Sequence, residues 1–329
     1  MTEKSPTQWN TITGTKDYGQ KCEFSMTYWW ALIKLLLHCL SVASEKVQLN
    51  PTDCGKADVL SYIVNGKPAN EYQFPWMVQL QMRIAGDPDY YVCGGTIITK
   101  LHVLTAAHCF DVEGQEIISI DVLYGHVDWR RAKKVKGVKK LGHAEYSSWT
   151  NRNDIGIVKV EQPFTMDKSV RPICVLLDHV NIINIEALVA GWGRHTEDDK
   201  TTKYYLHYTT LRILPHEYCE RLYPIEYDEN VNYCAYQKDT DTCKGDSGGP
   251  LFAKSKNGTY VQVGVISHGI GCAREGNPGV YARVDAYASW LTKAVASDEG
   301  YRNLTVDTMQ ESTPTEEDNL LFRFSFLRT

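Results

Sequence analysis

Short stretches in which apolar and polar residues alternate recur through the middle of the chain. Met77-Val78-Gln79-Leu80-Gln81-Met82 and Val261-Gln262-Val263-Gly264-Val265-Ile266 are two of them, and Gly, Pro, Asn and Asp punctuate the intervals. A period of two interrupted by turn residues predicts antiparallel strands closed into barrels. Near the end the period changes: Val284, Tyr287, Ala288, Leu291 and Val295 recur at helical spacing behind Asp285, which predicts a helix capped by that aspartate. Two segments follow neither pattern. Residues 26–44 form an apolar stretch interrupted by Lys34 and His38 that ends in small residues, Ser41-Val42-Ala43, the form of a secretory signal peptide cleaved near Ala43, with Met26 competing with Met1 as the start. A signal anchor is the rival reading, and the internal Lys34 and a span of roughly 18 residues count against it. Residues 297–329 hold seven acidic and three basic residues and end on a weakly alternating 320–327. That composition predicts a disordered tail, with a partner-binding strand as the alternative, and it is too short and charged for a lipid-anchor signal.

Composition narrows the class. A chain of 329 residues with 43% hydrophobic content can bury one large or two small cores, and a formal net charge of −5 implies no general affinity for nucleic acid. Ten cysteines favour an oxidising compartment, and no CxxC or His-x-x-x-His spacing points to a structural zinc. No cofactor is expected.

The candidate chemistry lies in three runs. Asp241-Thr242-Cys243-Lys244-Gly245-Asp246-Ser247-Gly248-Gly249-Pro250 sets a serine among glycines, Thr105-Ala106-Ala107-His108-Cys109 supplies a base, and Asn153-Asp154 supplies an acid at the head of an apolar strand. A serine hydroxyl is a poor nucleophile at neutral pH, so an imidazole must take its proton and a buried carboxylate must fix the imidazole's tautomer. His108, Asp154 and Ser247 can fill those roles, and the backbone N–H groups of Gly245 and Ser247 can hold the oxyanion. The glycine-flanked serine also fits an α/β-hydrolase elbow. That fold needs its acid and histidine after the serine and a helix directly behind it, whereas only His268 follows Ser247 and Pro250-Leu251-Phe252 reads as a strand.

The order His, Asp, Ser and these motifs resemble the chymotrypsin-like (trypsin family) serine proteases over about residues 54–296. The resemblance implies an all-β fold of two antiparallel six-stranded barrels with a C-terminal helix. It implies a domain order of N-terminal extension and signal peptide (1–44), propeptide (45–62), protease (63–296) and tail (297–329). It puts Asp241 at the bottom of the primary pocket, where its charge favours Arg or Lys, with Ser267-His268-Gly269 and Gly279-Val280-Tyr281 as walls and Ser267 also holding Asp154. It implies the disulfides Cys93–Cys109, Cys219–Cys234, Cys243–Cys272 and a propeptide tether Cys54–Cys174, with Ala187 and Ala253 at the positions of an absent bridge. Cys22 and Cys39 then lack partners, as befits a removed leader.

Ile63-Val64-Asn65-Gly66 resembles the N-terminus such zymogens acquire on cleavage, its ammonium pairing with Asp246. Tyr62 stands before it where family members carry Arg or Lys, so the precursor is expected to need a protease that cuts after aromatic residues. His268 replaces the family's tryptophan and makes the wall beyond the primary pocket smaller and titratable, and Pro278 argues against monovalent-cation activation. Residues 130–140 carry seven basic residues and no acid. An anion-binding exosite for an acidic protein or sulfated glycan is the sharp reading and a solvated strand edge the plain one; His126 stands where a calcium-binding glutamate is expected. Asn257-Gly258-Thr259 and Asn303-Leu304-Thr305 are glycosylation acceptors. The expected protein is a secreted, extracellular endopeptidase made as a zymogen, with protein substrates, an activating protease and protein inhibitors as partners and no stable membrane insertion. The alternative is a protease-like binding or regulatory protein without activity.

Overall fold

The alternating runs become strands, and the strands close on themselves twice. In the computed structural model the described residues are 47–58, 67–112, 114–115, 117–194, 198–238, 243–272 and 274–304. After a two-residue strand β1 (Lys67–Pro68) come β2 (Met77–Ile84), β3 (Tyr91–Ile97), β4 (His102–Thr105), β5 (Ile117–Tyr124), β6 (Lys133–Gly142) and β7 (Gly156–Val160). Antiparallel pairing runs β6-β5-β2-β3-β4-β7 and closes through β6–β7, giving the first six-stranded barrel. β8 (Cys174–Val175) then leads to β9 (Glu186–Gly191), β10 (His207–Ile213), helix α1 (His216–Leu222), β11 (Asn232–Tyr236), β12 (Pro250–Lys254), β13 (Tyr260–His268) and β14 (Gly279–Arg283). The order β10-β11-β14-β13-β12-β9 closes through β10–β9 as the second barrel. A 3-10 turn, Asp285–Tyr287, leads into α2 (Ala288–Ala296) and a last short strand, β15 (Arg302–Asn303). Among the described residues no helix is long and apolar enough to cross a membrane.

Strand burial departs from simple alternation where the barrels meet. Gln79, Gln81 and Gln262 are buried although the period of two would turn them to water. Each is satisfied there: Gln81 Nε2 donates to Gln79 Oε1 at 3.0 Å, and Gln262 Oε1 accepts from Thr96 Oγ1 of the other barrel at 2.6 Å. A buried amide is tolerable only when hydrogen-bonded, and the Thr96–Gln262 bond ties one barrel to the other. Phe74 and Trp76, just before β2, meet Phe252, Tyr208 and Tyr260 of the second barrel at centroid distances of 5.1–5.7 Å. Tilted and edge-on aromatic pairs like these contribute about 0.5–1.5 kcal/mol each beyond the area they bury.

Two elements differ from expectation. Asp285 does not cap the closing helix; its carboxylate is taken by Arg283 at 2.6 Å and by His179 at 3.0 Å, a charge-assisted pair that outcompetes a neutral cap. Residues 297–304, expected as part of a disordered tail, fold back on the first barrel. Asp298 binds Lys139 at 2.7 Å and Lys159 at 2.6 Å, the N–H of Leu304 donates to Val138 O at 2.9 Å, and Leu304 is buried. Residues 305–329 lie outside the described residues, as do 1–46 with Cys22 and Cys39. Among the described residues the disulfides are Cys54–Cys174, Cys93–Cys109, Cys219–Cys234 and Cys243–Cys272.

Candidate active site

β4 ends at Thr105, and the chain then tightens into the 3-10 turn His108–Phe110. Ala106 and Ala107 are buried, so only small side chains fit this descent, and Cys93–Cys109 staples the turn to β3. Across the barrel, Asn153 takes a left-handed φ of 57° and its carboxamide oxygen accepts from Tyr287 Oη at 3.0 Å, which turns the next residue inward at the head of β7. Asp154 is consequently 0% exposed. Its Oδ2 accepts from His108 Nδ1 at 2.7 Å and from Ser267 Oγ at 2.6 Å, and its Oδ1 accepts from the His108 main-chain N–H at 2.8 Å.

These contacts set the electrostatics. Burial pushes the Asp154 carboxyl towards protonation, but the His108 charge and the three hydrogen bonds outweigh it and hold it below the ordinary carboxylate value. Burial likewise works against a charged His108, yet the charge of Asp154, its hydrogen bond and Asp111 prevail and raise the imidazole above its usual value. Since Asp154 only accepts, His108 carries its proton on Nδ1 and leaves Nε2 with a free lone pair.

Ser247 comes from the second barrel, in the loop before β12, and is 8% exposed. The loop is pinned on both sides. Gly94 of β3 donates its N–H to Ser247 O at 2.7 Å, and Gly248 donates to Ile266 O of β13 at 2.9 Å. Gly248 has φ 78°, and a Cβ there would stand 2.2 Å from Thr105 Oγ1, so any side chain would force the serine loop away from the histidine turn. Among the described residues, the N–H groups of Gly245 and Ser247 donate no backbone hydrogen bond.

Asp246 turns the other way. Its carboxylate is enclosed by Gly191-Trp192-Gly193 and accepts N–H bonds from Gly193 at 2.7 Å and Cys243 at 3.0 Å. A Cβ at Gly191 would stand 2.0 Å from Asp246 Oδ1. Burial raises its carboxyl to about 6, against the two N–H groups and Lys203. The glycines around Trp192 escaped the sequence reading; a Gly-Trp-Gly run on an otherwise apolar strand was the available sign that another group packs there.

The pocket residues are partly in view. Ser267 and His268 end β13, and a Cβ on Gly269 would stand 3.5 Å from the Gly279 backbone, so bare glycines face each other there. Asp241, Tyr62 and Ile63 lie outside the described residues. Cys93, Cys109 and His108 converge closely enough to suggest a metal cluster. Both sulfurs are spent in a disulfide and offer no thiolate.

The basic run 130–140 is partly neutralised by four aspartates outside it. Arg130 pairs with Asp128 at 2.7 Å, Lys133 with Asp167 at 3.1 Å, Lys136 with Asp121 at 2.8 Å, Lys134 with the same Asp121 at 3.6 Å, and Lys139 with Asp298 at 2.7 Å. Lys140 is buried with Nζ 3.3 Å from Ile117 O. Among the described residues Arg131 alone of the seven has no ion pair or hydrogen bond through its side chain.

Comparison with known proteins covers the same region. A family model described as Trypsin matches residues 63–291. The chain is similar to the venom peptide isomerase heavy chain of Agelenopsis aperta, 32% identical over 247 residues that cover 70% of this chain and 99% of that one. It is also similar to serine proteinase stubble of Drosophila melanogaster, 34% identical over 246 residues, 71% of this chain and 31% of that one. A third relative is the clotting factor G beta subunit of Tachypleus tridentatus, 32% identical over 259 residues, 74% and 82% of the two chains.

Proposed function

The chain belongs to the trypsin family and is a serine endopeptidase, and from that premise we propose that it is an extracellular enzyme, made as an inactive precursor, that cuts protein substrates after Arg or Lys. The observation that carries this reading is the buried Asp154 carboxylate taking both the ring and the main-chain N–H of His108, because it leaves Nε2 as the base. His108 accepts the Ser247 proton as Oγ attacks the carbonyl, and returns it to the leaving amine when the acyl-enzyme forms; water then repeats the exchange in reverse. Asp154 balances the transient imidazolium. The N–H groups of Gly245 and Ser247 receive the oxyanion, worth roughly 3 to 4 kcal/mol for each donor.

Asp241 gives the primary pocket its charge, and Gly269 and Gly279 leave room for a long cationic side chain beside Ser267. Activation follows from Asp246. A buried carboxylate pushed up to about 6 is short of a counter-ion, and the ammonium freed at Ile63 by cleavage after Tyr62 supplies one, ordering the loop that bears Gly245 and Ser247. The Cys54–Cys174 bridge keeps the propeptide attached to the cut enzyme. Four disulfides and exposed acceptors at Asn257 and Asn303 suit an extracellular protein. The activating protease and protein inhibitors are its expected partners. The charge pairing along 130–140 gives an anionic exosite ligand little support.

Fluorophosphonate labelling tests the reading. Protein cut to expose Ile63 takes up one equivalent at Ser247, the uncut precursor reacts far more slowly, and trypsin alone does not generate the Ile63 terminus. Absence of labelling after correct cleavage would favour the non-enzymatic alternative, and an Ile63 terminus made by trypsin would remove the requirement for an aromatic-directed activator.

A further inference from the structure

Ser267 has one hydroxyl proton and two candidate acceptors. Its Oγ lies 2.6 Å from Asp154 Oδ2 and 3.1 Å from His268 Nδ1. The carboxylate accepts only and forms the shorter, charge-assisted contact, so the proton goes to Asp154. His268 Nδ1 must then donate to the oxygen lone pair, since two bare lone pairs at that distance would repel. We infer that His268 is a positioning residue for the reaction, its Nδ1–H fixing the Ser267 hydroxyl so that it donates to Asp154, in a continuous chain His268 → Ser267 → Asp154 ← His108. This rests on the proposed roles of Asp154 and His108.

The surroundings agree with a neutral, Nδ1-protonated ring. His268 Nε2 is buried and without a hydrogen-bond partner among the described residues, as an unprotonated acceptor nitrogen tolerates better than a proton-bearing donor. Burial lowers the imidazole to about 4, and His108 adds to that, while Asp154 and Glu226 oppose it. Tyr223 packs edge-on against the ring at 5.9 Å and donates its own hydroxyl to Pro278 O at 2.7 Å. The two neighbours of Asp154 thus act together. His108 fixes one side of the carboxylate with two N–H groups, and the hydroxyl on the other side is prevented from rotating away. Hydrogen bonds in such a chain polarise one another, so a donor two steps from the carboxylate still strengthens the last contact.

The residue at 268 is one of the points at which this chain departs from the family pattern, and this departure has a cost and a return in the same ring. A smaller wall is presented to the substrate, and a donor to Ser267 is acquired. An effect on orientation of the reacting groups appears in kcat for any substrate, whereas an effect on the wall appears in KM for extended peptides only.

The test has a spectroscopic and a kinetic arm. In wild-type protein, ¹⁵N spectra of labelled histidine should show His268 protonated at Nδ1 and bare at Nε2 at neutral pH; a bare Nδ1 overturns the proposal without any variant. In protein cut to expose Ile63, His268→Phe should lower kcat roughly 2- to 10-fold, the worth of one net hydrogen bond, on a single-residue Arg amide with KM unchanged. His268→Asn, whose amide N–H stands near the Nδ1 position, should recover most of the loss, and His268→Gln, which reaches the Nε2 position, should not. In a Ser267→Ala background the Phe exchange should have no further effect. Equal rates for Phe and Asn, or a loss confined to KM of long peptides, would contradict the inference. Failure of the underlying reading looks different: wild-type enzyme would then not be labelled at Ser247 or would keep its rate with His108 replaced.

Discussion

At the scale of single residues, Asp154 is the group on which the site turns. It is fully buried, takes three hydrogen bonds and holds His108 in one tautomer. Asp154→Asn preserves the shape but offers an amide where an acceptor is needed, so the ring turns its bare nitrogen inward and loses its free base. Measured on an Arg peptide, kcat should fall about 10⁴-fold, the size this exchange has in the family's reference triad, while Tm changes little; a loss under tenfold would mean the base is another group. The raised imidazole of His108 has a sign that can be checked as well. The base is competent only when neutral, so kcat/KM should fall as pH drops through an apparent value above the ordinary histidine range. An acid limb centred below the ordinary value would mean that Asp154 does not stabilise the imidazolium.

At the scale of elements, the strap 297–304 is the addition that a run of acidic residues concealed. Its net composition says disorder, but three positions do the binding: Asp298 between two lysines, Tyr301 donating from Oη to Ala294 O at 3.1 Å, and Leu304 buried beside β6. Leu304→Ala removes the buried anchor and should cost about 2 kcal/mol, seen as a lower Tm with an unchanged specific activity. An unchanged Tm would mean the strap contributes nothing to the barrel it lies on. Asp298→Ala should matter less, since its carboxylate is 47% exposed and such pairs are screened. The strand runs were legible because period-two alternation reports directly on a half-buried sheet. Gln79, Gln81 and Gln262 were not, because their partners, Gln81 with Gln79 and Thr96 of the first barrel with Gln262 of the second, form only in the folded chain and no local pattern records them. Helix α1 and the idle Asp285 belong to the same group: seven residues are too few for a periodic signal, and Arg283 claims the aspartate through a pair formed in the folded chain.

For the whole molecule, the two barrels divide the site so that neither holds it alone. His108 and Asp154 belong to the first, Ser247 and Ser267 to the second, and the junction is held by Gly94 on Ser247, Thr96 on Gln262 and the aromatic group around Phe74 and Trp76. The candidate site was legible as three short runs because each needs particular residue types at fixed neighbours. His268 was visible only as a departure from a pattern, and its hydrogen bond to Ser267 needed the folded chain. The most direct test of the central claim is hydrolysis of paired peptides ending in Arg, Lys or Phe by protein cut to expose Ile63, with Ser247→Ala as the blank. Turnover after Arg and Lys, absent after Phe and absent in the blank, is the predicted result. Cleavage after Phe would contradict the role of Asp241, and equal turnover in the blank would contradict that of Ser247.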